Sequence, residues 1–487
     1  MDEPVVVIGS GPCGSVAAAR LIDRGVPVVM LDSGERAPRG LIVRAGGNTL
    51  FRRMNRSEYS TDRHMNTEDT YWGSSLSLGG LSNYWTSAVP RFAPDDFTEG
   101  GRLDERYVWP VTYEDLTPFY EIAEKHLTVT AADPIAGVPS NRIRYRHRLP
   151  SDWQEVVEAA QANGDGLGAI PMAKGAPWMI ALRGTEFASY QCVMKPLLES
   201  PIFELRPRSH ASRIVWSPSA GRVESIEYVN RETCQYERVR ARAVVIAAGT
   251  VDTTMLLLRS TSADFPDGLG NSAGLVGRYL HDHPREWWAA VTRRRVTAPS
   301  HPIYLARRRH GDSEPLMATS HTIGLASRRE RLRTFYRGRT DVLGVQVFGT
   351  MVPTPEVGVA PGPDGNDDPV LERPLITLAY DSQSVANITS ARERLKDVLG
   401  SAGLELHVPG PFHDLQPGSS VHLAGTVRMH HDRRFGVLDG WNRMHDVPEV
   451  MVCDMSAFTT GPEKNPTLTA MALAIRAADR LATDLAA

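Results

Sequence analysis

The chain has few cysteines, and they follow no pattern. Its 487 residues include only four, Cys13, Cys192, Cys234 and Cys453, and none belongs to a C-x-x-C pair. Disulfide-rich secreted domains and cysteine-based metal sites both depend on closely spaced cysteines. We therefore expect a protein of a reducing compartment that has no disulfide framework.

Long apolar runs and a strong net charge are also missing. No apolar run is long enough to cross a bilayer, and the opening "MDEP" lacks the basic segment of a signal peptide. The formal charge of -3 offers no attraction to nucleic acid or to an anionic membrane. The sequence thus predicts a soluble cytoplasmic protein that binds neither nucleic acid nor membrane, and it leaves the oligomeric state open.

The elements that are present alternate between strand and helix at both ends of the chain. "PVVVIG", "SVAAARLIDRG" and "VPVVMLD" form a strand, a helix and a second strand, and the C-terminal "EVMVCD" precedes a helical segment. Residues from about 285 to 410 contain β-like runs such as "VLGVQVFGTMV". We predict an α/β fold with a Rossmann-like dinucleotide-binding domain at 1–150, 200–285 and 415–487. An inserted antiparallel-sheet substrate domain is expected at 151–199 and 286–414.

A further helix is predicted over residues 113–127. The segment "YEDLTPFYEIAEKHL" has the apolar spacing of an amphipathic helix. Thr112 precedes it and can accept a hydrogen bond from a backbone N–H of the first turn. This helix should therefore begin at Tyr113.

The first strand ends in a G-x-G-x-x-G motif, formed by Gly9, Gly11 and Gly14. The first glycine permits a tight turn, the second lets a pyrophosphate approach the backbone, and the third allows the helix to pack on the strand. Pro12 opens the helix, whose free N–H groups favour a phosphate. Asp32 closes the second strand, where a carboxylate can accept a ribose hydroxyl. Both FAD and NAD fit this pattern.

Two later segments favour FAD. "AVVIAAGT" is a second strand that ends in a small-residue turn containing Gly249, and "VCDMSAFTT" places Asp454 at the end of another strand. Both segments would return the chain to the same nucleotide. A nicotinamide enzyme does not need the chain to revisit the site so often.

Histidines raise a separate question, because "VHLAGTVRM" places His422 among small and apolar residues. His422 is a buried structural histidine, a metal ligand or a proton-handling group. The groups "HDHP" (281–284) and "HHD" (430–432) resemble metal-ligand clusters. Each is a contiguous run without a second ligand pair, so we predict no metal site. His445 falls in a predicted turn and is expected to be structural.

Six ordered motifs resemble the glucose–methanol–choline (GMC) family of FAD oxidoreductases. They are the N-terminal glycine motif, "LGGLSNYWTSAVPRF", "WPVTYEDLTPFY", "AVVIAAGTVDTTMLLLRS", "GNSAGLVGRYLHDHP" and the C-terminal block that runs from "HLAGTVRM" through "NPTLTAMALAIRAADRL". The segment "GGLSNYWTSAVPRF" is most similar to the pyranose oxidase branch and to related bacterial sugar and C-glycoside oxidases. Residues 285–410, which usually contribute to substrate choice, match only weakly.

The resemblance implies a set of site residues. It identifies His422 as the catalytic base and Asn465 as its partner. Tyr84 stands where pyranose oxidases commonly carry a histidine bonded to the flavin, so the FAD should be non-covalent. The residues implied at the cofactor are Gly9, Gly11, Pro12, Gly14, Asp32, Gly80, Ser82, Asn83, Tyr84, Trp85, Thr86, Ala211, Gly249, Asp454, Asn465, Pro466 and Thr467.

The implied reaction is oxidation of a secondary ring hydroxyl of a sugar or glycoside, at C2 or C3, to a ketone. The flavin accepts the hydride, a protein base takes the proton, and O2 or a quinone receives the electrons. Oxidation of a sugar-bearing natural product, such as a glycoside, aminoglycoside or nucleoside, is an alternative. An NAD-dependent dehydrogenase and a noncatalytic flavoprotein subunit remain two further hypotheses.

Overall fold

The computed structural model describes most of the chain. The described residues are 3–35, 63–66, 70–83, 85–131, 134–140, 145–175, 177, 187–292, 297, 302–306, 319–325, 341–362, 369–370, 372–404, 406–407, 411–413 and 415–487.

A five-stranded parallel sheet forms the centre of the nucleotide-binding part. Its strands lie in the order Val450–Val452, Ala243–Ile246, Val5–Ile8, Val28–Leu31 and Phe203–Arg206. Val5–Ile8 has a neighbour on each side and every one of its side chains is buried. Continuous apolar strands of this kind are typical of parallel sheets covered on both faces. The predicted α/β class with a Rossmann-like domain is confirmed.

Helices cover this sheet and connect its strands. The first helix, Pro12–Asp23, packs against the last helix, Thr467–Ala486. Other helices lie at Gly100–Leu103, Tyr113–Leu127, Ser151–Ala162, Lys195–Leu197, Thr250–Arg259 and Ser382–Ser401, with 3-10 turns at Gly80–Asn83, Pro94–Phe97, Glu105–Tyr107 and Met455–Ala457 and a π-helical turn at Tyr190–Met194.

The helix Tyr113–Leu127 begins where its sequence predicted. The Thr112 hydroxyl accepts a hydrogen bond from the Asp115 backbone N–H, and the Asp115 carboxylate accepts one from the Thr112 N–H. These reciprocal bonds satisfy two amides that the first helical turn leaves free. They also lower the pKa of Asp115.

A seven-stranded sheet with antiparallel pairing forms the centre of the second part. Its strands are Leu167–Ala169, Arg285–Thr292, Ile303–Leu305, Thr319–Leu325, Asp341–Gly349, Leu406–His407 and Pro411–His413. The expected antiparallel sheet is present. However, the same region also contains a 20-residue helix, Ser382–Ser401, which the sequence analysis missed. Asp381 caps its first turn by accepting a hydrogen bond from the Ser384 N–H at 2.7 Å.

Smaller sheets complete the fold. One consists of Arg278–His281, Gly358–Pro361, Pro374–Thr377 and Ala424–Thr426. It therefore joins strands that the sequence analysis assigned to two different domains, and the proposed domain boundaries stay a prediction. The others are Ser209–Ser217 with Arg222–Asn230 and Gln235–Arg240; Arg63–Asn66 with Tyr71–Ser74; and Val129–Ala131 with Tyr145–Arg146 and Met172–Ala173.

Among the helices of the described residues, none has the length and apolar character needed to span a membrane.

Candidate active site

The glycine motif forms a tight turn between the first strand and the first helix. Gly9 has a φ of 100°, and a side chain there would overlap the Ala247 carbonyl. A side chain at Gly14 would overlap the Gly9 carbonyl oxygen. Among the described residues, no atom other than those of its chain neighbours lies within 4 Å of the place where a Cβ on Gly11 would stand. The first and third glycines are thus required by packing, whereas Gly11 faces open space.

Asp32 reinforces this turn from the end of the second strand. Its carboxylate accepts hydrogen bonds from the Ser10 N–H at 2.7 Å and the Gly34 N–H at 2.6 Å. Burial raises its pKa, an effect that these hydrogen bonds oppose. The Asp32 carbonyl accepts from Ser209 N–H, which brings the strand carrying Ala211 to the same edge. Asp32 and Ala211 therefore lie in one region, as the sequence predicted for a nucleotide site.

The segment 79–83 packs onto the glycine turn through buried hydroxyl groups. The Gly79 N–H donates to Ser10 Oγ at 2.8 Å, and Ser189 Oγ donates to the Ser10 carbonyl at 2.9 Å. Ser82 Oγ lies 3.1 Å from Ser189 Oγ. Gly80 begins the 3-10 turn Gly80–Asn83 and lies beside Gly11.

Asp454 stabilises the turn at Gly249 through hydrogen bonds within the protein. Its buried carboxylate accepts hydrogen bonds from the Gly249 and Ser456 backbone N–H groups, both at 2.9 Å. The hydroxyls of Thr253 and Ser456 donate to it as well, each at 2.5 Å. Asp454 therefore ties the turn at Gly249 to the neighbouring strand end. Gly249 itself has a φ of 91°, and a Cβ at this position would have no described atom within 4 Å other than those of its chain neighbours.

These residues fit a dinucleotide. Gly11 and Gly249 leave space beside the sheet edge, and the first helix begins at Pro12 without a side-chain cap. Its N–H groups are suited to a pyrophosphate. Within the described part of the chain, the buried Asn83 Oδ1 has no hydrogen-bond partner, although its Nδ2 donates to Ser77 and Leu78. An acceptor left over in this position suits a ligand with N–H or O–H groups.

Trp85 and Thr86, two of the residues expected at the flavin, follow the 3-10 turn Gly80–Asn83. Trp85 is half-buried and donates its indole N–H to the Phe187 carbonyl at 2.8 Å, while Thr86 is exposed. Tyr84, on which the expectation of non-covalent FAD rests, lies outside the described residues.

His422 and Asn465 meet as predicted, although 43 residues separate them. Asn465 Nδ2 lies 3.3 Å from His422 Nε2, and both side chains are half-buried. Asn465 is followed by Pro466 and by the last helix, which begins at Thr467 without a side-chain cap. The helix N-terminus and the two polar side chains therefore lie together at one place.

Lys464 anchors the segment that carries Asn465. Its ammonium group is 1% exposed and lies 2.8 Å from Asp96 and 3.2 Å from Glu463. A cation removed from water is tolerated because two carboxylates surround it. The chain direction just before Asn465 is thus set by buried charge pairs.

Two aromatic rings surround the His422 imidazole. His283 Nδ1 lies 2.9 Å from His422 Nδ1, and the two rings are nearly perpendicular, with centroids 4.9 Å apart. Phe348, in the strand Asp341–Gly349 of the seven-stranded sheet, stacks on His422 at 5.6 Å with an interplanar angle of 30°. The seven-stranded sheet therefore supplies one wall of the site.

Asp282 holds the backbone that carries His422. Its carboxylate accepts hydrogen bonds from the Ser420 hydroxyl, from the His422 N–H at 3.1 Å and from the Tyr380 hydroxyl at 3.1 Å. Val421, between the two anchored residues, has a φ of 60°. A β-branched residue is strained in this conformation, and such strain persists where surrounding contacts enforce it.

The electrostatics of the site favour a neutral imidazole. Burial, followed by the neighbouring His283 and Arg285, holds the pKa of His422 well below its usual value of 6.5. Burial also lowers the pKa of His283 to about 3 and that of His281 to about 4. His422 is therefore a neutral imidazole at neutral pH, and one of its two ring nitrogens can accept a proton.

His430 and His445 contact the backbone of neighbouring segments. His430 Nε2 lies 3.0 Å from the Glu105 carbonyl, and its Nδ1 accepts a hydrogen bond from the Asp432 N–H. His445 Nε2 lies 3.0 Å from the His430 carbonyl. In the part of the chain that the structure describes, no group of three or more His, Cys, Asp or Glu side chains could hold a metal ion.

The residues that surround His422 were not predicted from the sequence. The segment "HDHP" was considered as a metal cluster and as the end of a family motif, without a role for its residues beside His422, and no role was assigned to Phe348 or Tyr380. The signal was a pair of histidines flanking an aspartate just before a strand. Its meaning depends on a contact with a residue 139 positions away, which local spacing does not reveal.

Two family profiles together match most of the chain. Residues 5–285, more than half of it, match the N-terminal GMC oxidoreductase profile, and residues 372–474 match the C-terminal GMC oxidoreductase profile.

Individual relatives match between 84% and 99% of the chain. Paromamine 6'-oxidase of Streptomyces fradiae is 31% identical, over 99% of this chain and 91% of the relative. C-glycoside 3-oxidase of Arthrobacter globiformis is 26% identical, over 84% and 75%. The crystal structure of pyridoxine 4-oxidase from Mesorbium loti superposes with a TM-score of 0.69 and 18% identity, covering 98% of this chain and 99% of that one.

Proposed function

The chain belongs to the GMC family of FAD-dependent oxidoreductases, and from this premise we propose that it oxidises a hydroxyl group of a sugar-bearing small molecule. His422 acts as the base in this proposal, and Asn465 holds the substrate oxygen. The observation that carries it is the 3.3 Å approach of His422 Nε2 and Asn465 Nδ2.

The geometry suits an alcohol. A hydroxyl that contacts both side chains can donate its proton to His422 Nε2 while its oxygen accepts a hydrogen bond from Asn465 Nδ2. Asn465 thereby orients the carbon that loses hydride. FAD, when bound, supplies the hydride acceptor. The residues around Gly11 and Gly249 would hold its pyrophosphate, and Asp32 would face its ribose.

The lowered pKa of His422 supports the same role. A base has to be unprotonated before the reaction, and burial keeps this imidazole neutral at physiological pH. The wall formed by Phe348 limits access of water to the ring. A noncatalytic flavoprotein subunit would have no chemical need for this arrangement, and a nicotinamide enzyme does not fit the family.

For the substrate, the relatives favour an aminoglycoside or a similar aminosugar glycoside. Paromamine 6'-oxidase and the 6'''-hydroxyparomomycin C oxidase of Streptomyces lividus are 31% and 30% identical, each over 99% of this chain. Both names place the oxidised hydroxyl at a 6-type position, which in a hexopyranose is the exocyclic CH2OH. We therefore propose that carbon as the first candidate.

A second candidate is the secondary ring hydroxyl at C2 or C3. C-glycoside 3-oxidase and the pyranose 2-oxidase of Lyophyllum shimeji are 26% and 21% identical, over 84% and 82% of this chain. The product would then be a ketone rather than an aldehyde. Under either candidate the flavin is non-covalent, and O2 or a quinone takes the electrons.

The experiment is an anaerobic titration of the purified, FAD-loaded protein. Paromamine, a free hexose and a C-glycoside are added separately while the oxidised flavin absorbance is followed. Bleaching by paromamine, with an aldehyde product, supports the first candidate; bleaching by a hexose or C-glycoside, with a ketone product, supports the second. Reoxidation with O2 and with a benzoquinone then identifies the acceptor. If no alcohol bleaches the flavin, the proposal is wrong.

A further inference from the structure

His283 occupies a bridging position between the catalytic histidine and the backbone. It is 3% exposed, and its Nδ1 lies 2.9 Å from His422 Nδ1. Its opposite edge faces the segment 461–462: the ring hydrogen-bonds to the Pro462 carbonyl, and Nε2 lies 3.7 Å from the place where a Cβ on Gly461 would stand. The two ring nitrogens of His283 therefore contact different partners.

The positions of the protons follow from these partners. A carbonyl oxygen can only accept, so His283 carries its proton on Nε2. A neutral imidazole has a single N–H, which leaves His283 Nδ1 as an acceptor. His422 Nδ1 faces that acceptor and consequently donates to it. The remaining nitrogen, His422 Nε2, is then unprotonated.

We propose that His283 is a positioning residue that holds His422 in the Nδ1–H tautomer, so that the bare Nε2 faces Asn465 and the substrate hydroxyl. The partner of a histidine nitrogen commonly decides which tautomer the ring adopts. The opposite tautomer would present an N–H to the hydroxyl and could not accept its proton. The inference rests on the proposed function only for its catalytic consequence.

The contact on the other side of His422 agrees with this assignment. The amide nitrogen Asn465 Nδ2 only donates, and it lies 3.3 Å from His422 Nε2, which accepts in the proposed tautomer. Pro462, which anchors His283, is three residues before Asn465. One segment thus orients both the base and the group that holds the substrate oxygen.

Burial, assisted by neighbouring charges, keeps both rings neutral. Burial is the largest cause of the lowered pKa of His283, and His281 and Lys464 add to it while Glu463 opposes them. His422 is faced by His283 and Arg285. Asp282 and Tyr380 approach through hydrogen bonds to the backbone of His422 and His283, respectively. Two protonated rings at 2.9 Å would repel each other, and burial disfavours a charge on either ring.

The test compares His283→Leu with His283→Asn in the FAD-loaded protein. Leucine removes the acceptor, whereas asparagine retains an oxygen that can accept from His422 Nδ1. Nitrogen-15 NMR of histidine-labelled protein reports the tautomer, with the His422 signals identified by their loss in His422→Gln. We expect Nδ1–H in the wild type and in His283→Asn, and Nε2–H in His283→Leu.

Turnover provides the second measurement. We expect kcat to fall about 10- to 100-fold in His283→Leu, a large part of what a general base contributes, and to recover within about tenfold of wild type in His283→Asn. A wild-type His422 protonated on Nε2 would overturn the inference. So would unchanged kcat and tautomer in His283→Leu. The NMR result needs no substrate, so it stands or fails separately from the proposed function, and the wild type and His283→Asn still decide it if His283→Leu does not fold.

Discussion

The two ends of the site are built from different parts of the chain. The nucleotide end consists mainly of backbone, namely glycine turns and helix N–H groups. Two carboxylates, those of Asp32 and Asp454, hold its turns in place. The catalytic end consists of side chains from three distant segments, 281–283, 420–422 and 462–465. Changes at the first end should therefore alter folding and cofactor affinity. Changes at the second should alter turnover while FAD stays bound.

The largest effect is expected at the base. His422→Ala should retain FAD and lower kcat by about 10²- to 10⁴-fold, because it removes the ring nitrogen that accepts the substrate proton. Stopped-flow reduction of the flavin by substrate measures this step. The exposed His431 provides the control, since His431→Ala should leave the rate unchanged. Flavin reduction at the wild-type rate in His422→Ala would show that His422 is not the base.

Paired alanine substitutions test the nucleotide end. Gly14→Ala should lower the free energy of unfolding by about 1–3 kcal/mol, because its methyl group would overlap the Gly9 carbonyl. In the described part of the chain, the added methyl group of Gly11→Ala meets no atom within 4 Å apart from its chain neighbours. It should therefore leave the stability of the apoprotein unchanged and weaken FAD binding. Urea unfolding of the apoprotein and FAD titration separate the two effects, and equal behaviour of the two variants would contradict the packing argument.

Asp282 tests whether backbone anchoring belongs to the catalytic end. Asp282→Asn replaces one acceptor oxygen with a donor NH2 group facing the donors of Ser420, His422 or Tyr380. We expect kcat to fall less than in His422→Ala, and the free energy of unfolding to fall by about 1–3 kcal/mol. FAD affinity should stay near the wild-type value. A variant that loses FAD but keeps kcat once saturated with FAD would place Asp282 with the nucleotide end instead.

The smallest expected effect is a pH shift. The neutral form of His422 is the active one, so kcat/KM should fall only as pH drops through a pKa that lies below 6.5. Burial is the main cause, and Arg285 contributes to the same lowering. Arg285→Gln should therefore move the acid limb of the kcat/KM profile to higher pH. The exposed Arg238 is the matched control, and an unmoved limb in Arg285→Gln would show that its charge does not reach the imidazole.

The nucleotide end was predictable because its determinants are close in sequence. Gly9, Gly11 and Gly14 lie within six residues, and the strand and helix around them follow from apolar periodicity. Thr112 likewise marked the start of a helix, and the contact it makes there, with Asp115, spans only three residues. The helix Ser382–Ser401 was missed because β-like runs on both sides outweighed its weaker amphipathic pattern.

The sequence by itself determined the parallel α/β core, the dinucleotide turn and the residue types available for alcohol chemistry, since these depend on local periodicity and on steric rules within a few residues. Only the tertiary structure decided that Asp282 and His283 belong beside His422 and that Phe348 covers its ring. These contacts join residues that lie 74 to 140 positions apart in the sequence. Their distances, and the burial that shifts the pKa values, arise only when the sheets have packed together.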